Sequence, residues 1–310
     1  DLDGNDQSFH ELNDQNKAVV STEPNNIVID QNNFLYFTKT YRATNIVGGP
    51  SGNSFLSSIE KFNENFESQW IKILNQENYP ILSIETEQYS SSIGDENSIY
   101  LVGKTNLNSI DNTVINPNIV DYDGYVLKIN QDDGEQIWSS LYATDSADVV
   151  TDITTSDDGV FITGFTDGDL ENNTNRLENS NRDTFVSKIN PNDGTQEWIT
   201  LLEYQKDEYP VSISTDQSGS IFVLGYAADS QIHTDYPDYR SEGIEKVFLS
   251  KLTPADGTEL WTKYISFEQL IDEVYIPSKI LIDENDVIYL SVTKDTFQLT
   301  PEVLLARLDI

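Results

Sequence analysis

DTFVSKINPNDGTQEWITLL, Asp183 to Leu202, reads as two strands joined by a tight turn: an alternating apolar run, an Asn-Asp-Gly turn, and a second run that carries Trp198. The unit is written again as DGYVLKINQDDGEQIWSSLY (Asp123 to Tyr142) and KVFLSKLTPADGTELWTKYI (Lys246 to Ile265). A degenerate copy is NSFLSSIEKFNENFESQWIKIL (Asn53 to Leu74). Trp70, Trp138, Trp198 and Trp261 stand 68, 60 and 63 residues apart. A repeat of this size points to a propeller or a solenoid.

About 20 residues after each Trp comes a different strand pair. The five pairs are NNIVIDQNNFLYFT (Asn25 to Thr38), SSSIGDENSIYLVG (Ser90 to Gly103), TDITTSDDGVFITG (Thr151 to Gly164), VSISTDQSGSIFVLG (Val211 to Gly225) and SKILIDENDVIYLSV (Ser278 to Val292). An Asp precedes each turn, at Asp30, Asp95, Asp157, Asp216 and Asp283. Asp and Asn bond their own backbone at such places, and Gly admits positive φ, so these are hairpin turns. The repeating unit is therefore four strands: A, tight turn, B, long loop, C, Asp-Gly turn, D with its Trp. That is the layout of a propeller blade.

The sequence holds five A–B hairpins and four complete C–D hairpins. It ends on a bare C strand, EVLLARLDI (Glu302 to Ile310), and begins with DLDGNDQSFHEL (Asp1 to Leu12), an Asp-Gly turn and a D strand with Phe9 in the Trp place. The expected fold is one all-β domain, a five-bladed β-propeller of four-stranded antiparallel blades, with the N-terminal strand completing the C-terminal blade. Closure removes edges that would invite aggregation. The blades are expected at about 20–75, 76–143, 148–204, 209–266, and 275–310 together with 1–13. Residues 78–88, NYPILSIETEQ, are an insertion readable as an added strand or a packing flap.

Fifty-three acidic residues against 18 basic give a net charge of −35, a field that repels nucleic acid and anionic lipid. An acidic surface suited to salty water accounts for this more simply than a set of dedicated calcium sites. No apolar run approaches the ~20 residues that cross a bilayer. With no Met, the numbered chain is expected to be a processed product or part of a longer one. With no Cys, disulfides and thiolate metal sites are excluded.

The long segments are the B–C connections: Tyr41 to Gly52, Thr105 to Tyr122, Asp167 to Arg182, Ala227 to Glu245 and Lys294 to Pro301. Long loops on a rigid scaffold are where binding resides, so the B–C face is the expected working surface. Tyr122, Tyr236 and Tyr239 there could stack on sugars or meet a protein, with His233 beside them. In the third loop Asp167, Asp169 and Glu171 alternate, so that one hard cation such as calcium could be held; a solvated acidic loop is the simpler reading. The recurring tryptophans read as packing against the neighbouring blade, and the Asp-Gly runs as turns.

Two His residues, His10 and His233, make a zinc site or a Ser-His-Asp triad implausible. Paired carboxylates are the one catalytic route left, as in glycosidases that set an acid and a base ~5–10 Å apart. On the inner A strands only Asp152 qualifies, with Glu85 in the insertion.

The pattern FVSKINPNDGTQEW, followed by an A–B pair, resembles the SBBP-type bacterial β-propeller repeat over all five units and, more loosely, the tryptophan-docking repeat of quinoprotein-like propellers. The first resemblance implies an extracellular or surface-exposed protein, without catalytic residues to carry over. The resulting expectation is a non-enzymatic recognition or structural module that offers its B–C loops to a glycan, a protein, or other copies of a surface assembly. The alternative is a glycoside hydrolase.

Overall fold

The computed structural model describes residues 19–44, 53–74, 86–94, 97–105, 109–110, 113–114, 122–170, 182–202, 204, 206–228, 244–265, 273–296 and 302–308. Among them there is no helix. The strands follow the repeat: five antiparallel sheets, each a meander of sequential strands, make the chain an all-β, five-bladed β-propeller.

The chain divides into two compact units, Asp1–Glu87 and Gln88–Ile310. The first holds blade one: β1 (Val19–Ile29), β2 (Leu35–Thr44), β3 (Asn53–Phe62) and β4 (Ser68–Leu74), hydrogen-bonded in that order. The second holds the rest, save the first two residues of β5. Blade two is β5 (Thr86–Ile93), β6 (Ser98–Thr105), β9 (Asp123–Asn130) and β10 (Gln136–Tyr142). Its B–C connection contains a small ribbon, β7 (Ser109–Ile110) and β8 (Thr113–Val114). Blade three is β11 (Asp148–Ser156), β12 (Gly159–Thr166), β13 (Asp183–Ile189) and β14 (Gln196–Leu202). Blade four is β15 (Asp207–Thr215), β16 (Ile221–Ala228), β17 (Ile244–Leu252) and β18 (Glu259–Ile265). Blade five is described through three strands, β19 (Glu273–Ile282), β20 (Ile288–Thr296) and β21 (Glu302–Leu308). The expected completion of this blade by residues 1–13 lies outside the described residues, as do residues 78–85 of the insertion.

The turns obey the sequence chemistry. In the A–B turns Asp30, Asp216 and Asp283 each accept two backbone N–H bonds through Oδ1, from Asn32 and Phe34, Ser218 and Ser220, and Asn285 and Val287. Asp95 lies outside the described residues. In blade three the hairpin is tighter: Ser156 pairs with Gly159, so Ser156 Oγ, not Asp157, accepts the N–H of Asp158. The C–D turns place Gly134, Gly194 and Gly257 at φ 72, 75 and 71°; in blade one, where that glycine is lost, Phe66 is held at φ 60°.

The core lies between blades. Between blades two and three, Tyr100, Val102, Val126, Trp138 and Tyr142 pack on Val150, Ile162 and Phe185. Between three and four, Phe161, Val186 and Leu202 meet Ile213, Val223 and Phe248. Between four and five, Phe222, Leu224, Val247 and Leu249 meet Ile280, Ile288 and Leu290. The B strands β6, β12 and β16 carry apolar side chains to both faces and are buried almost throughout.

Trp138 and Trp198 do pack on the following blade. The indole Nε1 of Trp138 donates to Pro191 O at 3.1 Å, and that of Trp198 to Pro254 O at 3.2 Å. Two residues on, Ser140 Oγ and Thr200 Oγ1 donate to the carbonyls of Gly194 and Gly257. A Cβ on Gly194 or Gly257 would fall 2.6 Å from the indole above it, so glycine is required there for contact as well as for φ. Within its own blade each Trp leans on a B-strand aromatic: Trp70 on Tyr36, Trp138 on Tyr100, Trp198 on Phe161 and Trp261 on Phe222, at 5.7–6.1 Å between ring centroids.

Candidate functional site: the inner-strand polar hub and the roots of the B–C loops

The A–B ladders of blades one, three, four and five share a register shift at the same place: Pro24/Asn26, Val150/Asp152, Pro210/Ser212 and Pro277/Lys279. A bulge re-aims the residue that follows it. In blades three, four and five those residues are Asp152, Ser212 and Lys279, and they converge. Asp152, 1 % exposed, accepts from Ser90 Oγ at 2.5 Å, Ser212 Oγ at 2.8 Å and the Ile213 N–H at 2.9 Å. Lys279 Nζ completes the set at 2.9 and 3.1 Å from its two oxygens. One carboxylate thus ties together the inner strands of blades two, three, four and five. Nearby, Thr155 Oγ1 donates to Ile93 O at 2.8 Å and lies 3.2 Å from Ser92 Oγ, a second tie between blades two and three.

This is the acid that the sequence offered for glycosidase chemistry. Its charge is neutralised by Lys279, and both oxygens accept hydrogen bonds from neighbouring blades. Its proposed companion, Glu85, lies outside the described residues.

A second set of groups roots the long loops. Arg182, where the third B–C loop returns, is 2 % exposed and forms a fork with Asp167, where that loop leaves: Nε to Oδ1 at 2.7 Å and Nη2 to Oδ2 at 2.8 Å. The guanidinium lies over Phe165 at 4.0 Å and over Tyr209 of blade four at 5.0 Å. At the second loop, Lys104 ends the B strand with its ammonium 4.1 Å from the ring centroid of Tyr122, which precedes the C strand. Tyr122 is thus a half-buried stem residue. Asp167 gives both carboxylate oxygens to Arg182; Asp169 is half-buried beside it; Glu171 lies outside the described residues. Among the described residues no group of three His, Cys, Asp or Glu is arranged to hold a metal. His233, Tyr236 and Tyr239 also lie outside them.

The hairpin pattern marks Asp152 alone as an inner-strand acid, but the A strands of blades three and four begin earlier than that pattern. β11 opens at Asp148 and β15 at Asp207 and Glu208, all buried. The N–H of Asp148 donates to Tyr122 O at 2.8 Å, and the N–H of Glu208 to Arg182 O at 2.9 Å. Both carboxyls are pushed up by burial, Asp148 to about 7 and Glu208 to about 8. A signal was present: each acid stands ten residues after a Trp, Trp138 and Trp198.

The strands, seams and hub define a five-bladed β-propeller, and the chain is similar to several solved structures. A protein of unknown function from Dyadobacter fermentans is matched with TM-score 0.54 at 8 % identity, over 92 % of this chain and 76 % of that one. A protein of unknown function from Bacteroides caccae is matched with TM-score 0.44 at 12 % identity, over 81 % and 69 %. An α-L-arabinofuranosidase from Fusarium graminearum is matched with TM-score 0.47 at 8 % identity, over 89 % and 77 %. No protein-family model and no curated protein matches the chain.

Proposed function

We propose that the chain is a non-enzymatic recognition or structural module, extracellular or displayed at a cell surface, that presents its B–C loops to a glycan or a protein. The observation that carries the reading is the rooting of those loops: the Asp167–Arg182 fork and the Lys104–Tyr122 contact fix loop stems on packed blades. A rigid base lowers the ordering cost of binding through the loops it carries. The glycoside hydrolase alternative needs two free carboxyls at catalytic separation, whereas Asp152 is tied to Lys279 and two serines. The resemblance of the Trp-bearing hairpins to the SBBP-type repeat supports a surface location, and the net charge of −35 disfavours nucleic acid as the partner.

The test is a glycan array and a pull-down with the whole chain, beside variants in which residues 106–121 or 169–180 are replaced by short Gly-Ser turns. Loss of the captured glycan or protein on shortening supports the loop face. Undiminished binding after both replacements refutes it.

A further inference from the structure

Asp148 and Glu208 occupy one repeat position in successive blades, each the acid whose N–H clasps the carbonyl of the residue that ends the preceding B–C loop, Tyr122 or Arg182. Both side chains are 0 % exposed. Asp148 uses Oδ2 to accept from Thr144 N and Oγ1 at 2.6 and 2.8 Å, and Glu208 uses Oε1 to accept from Lys206 N at 3.1 Å. The second oxygen of each, Asp148 Oδ1 and Glu208 Oε2, has no hydrogen-bond partner among the described residues.

Among the described residues, the groups that act on them supply no counter-charge. Asp148 faces Asp123 from β9, Thr166 directly across on β12, and Asp183 one strand further in the same row. Lys104 of blade two sits over the Tyr122 ring. Glu208 is influenced by Asp183 of β13, by Asp207 on its own strand and by Tyr264 of β18. Lys246 of β17 shares its cross-strand row but lies over the Tyr264 ring at 5.1 Å, and the Arg182 guanidinium is turned to Asp167. An isolated ionised carboxylate in such a place is too costly and takes up a proton instead.

We propose that Asp148 and Glu208 are a proton-held latch, each present as the neutral carboxylic acid at the seams of blades two–three and three–four, and that their ionisation loosens the clasps on the returning stems of the second and third B–C loops. Burial, with the charge of Asp123 and against the hydrogen bonds from Thr144, raises Asp148; burial, with the charges of Asp183 and Asp207 and against the Lys206 N–H, raises Glu208. For a group raised in the folded state, the stabilising effect is complete below the unfolded carboxyl value, about 4. It is lost as pH rises through the folded values near 7 and 8. The latch is therefore closed in acid and opens in mild alkali.

The whole chain, the double variant D148N/E208Q and the exposed-site control D145N are melted between pH 5 and pH 9. The amide variants keep the shape and cannot ionise. The wild type and control are expected to lose at least about 5 °C more than the double variant over that range. Infrared spectra of the folded wild type at pH 6 supply a readout independent of variant folding: two protonated-carboxyl bands are expected, one lost in each single variant. A double variant that follows the wild-type slope, or no protonated-carboxyl band in the folded wild type at pH 6, overturns the proposal.

Discussion

At the residue scale the most consequential side chain is Asp152, because four inner strands meet on it. Its removal leaves the Lys279 ammonium and two serine hydroxyls without their acceptor. Breaking a buried pair by deleting one partner costs about 3–5 kcal/mol, here lowered by the exposure of Lys279, whose side chain is 56 % accessible. D152A is expected to destabilise by about 2–4 kcal/mol in urea unfolding; a loss below about 0.5 kcal/mol would show that the hub is not a structural tie. Asp167 is comparable at the loop root, since D167A strands a guanidinium that is 2 % exposed. Its expected cost is about 3 kcal/mol, read in the same assay. Phe66 offers the opposite sign. It stands at φ 60°, where L-residues with a Cβ are strained, and its ring is 46 % exposed. F66G should raise stability by about 1 kcal/mol.

At the element scale the C–D hairpin is the unit of cohesion. Its Trp and the hydroxyl two residues on hold the next blade's turn at the carbonyls of Pro191 and Gly194, or of Pro254 and Gly257. The grip depends on glycine twice over, through positive φ and through the indole face. G257A would place a methyl 2.6 Å from Trp198 at φ 71°, and should cost about 2–3 kcal/mol. Hydrogen exchange would localise the loss to β14 and the Thr253–Thr258 turn; uniform change across blades two to five would argue against a local seam.

At the scale of the whole molecule, charge dominates. Fifty-three acids against 18 bases repel one another over a Debye length of about 10 Å at 0.1 M salt. Raising NaCl from low salt to 0.5 M should therefore raise the melting temperature by several degrees, with the larger gain at pH 8 than at pH 5. Insensitivity to salt would mean that the acids are already compensated locally, as Asp193, Asp256 and Asp283 are in part by turn hydrogen bonds that hold them below the usual carboxylate range.

What the sequence determined by itself is everything that depends on near neighbours. Alternation identified the strands, Asp and Asn before each turn set the hairpins, the spacing of Trp70, Trp138, Trp198 and Trp261 set the repeat, and the five A–B hairpins counted the blades. The packing role of Trp138 and Trp198 followed from the same spacing. Only the tertiary structure decided which acids are buried and what they meet. Asp152 finds Ser90, Ser212 and Lys279 at 62, 60 and 127 residues' remove. Asp148 and Glu208 are clasped to loop ends contributed by another blade. The physical reason is that strand and turn energies are settled within a few residues, whereas desolvation and ion pairing are settled by whatever the neighbouring sheet brings to the same point, and one more Asp among so many carries no mark of that.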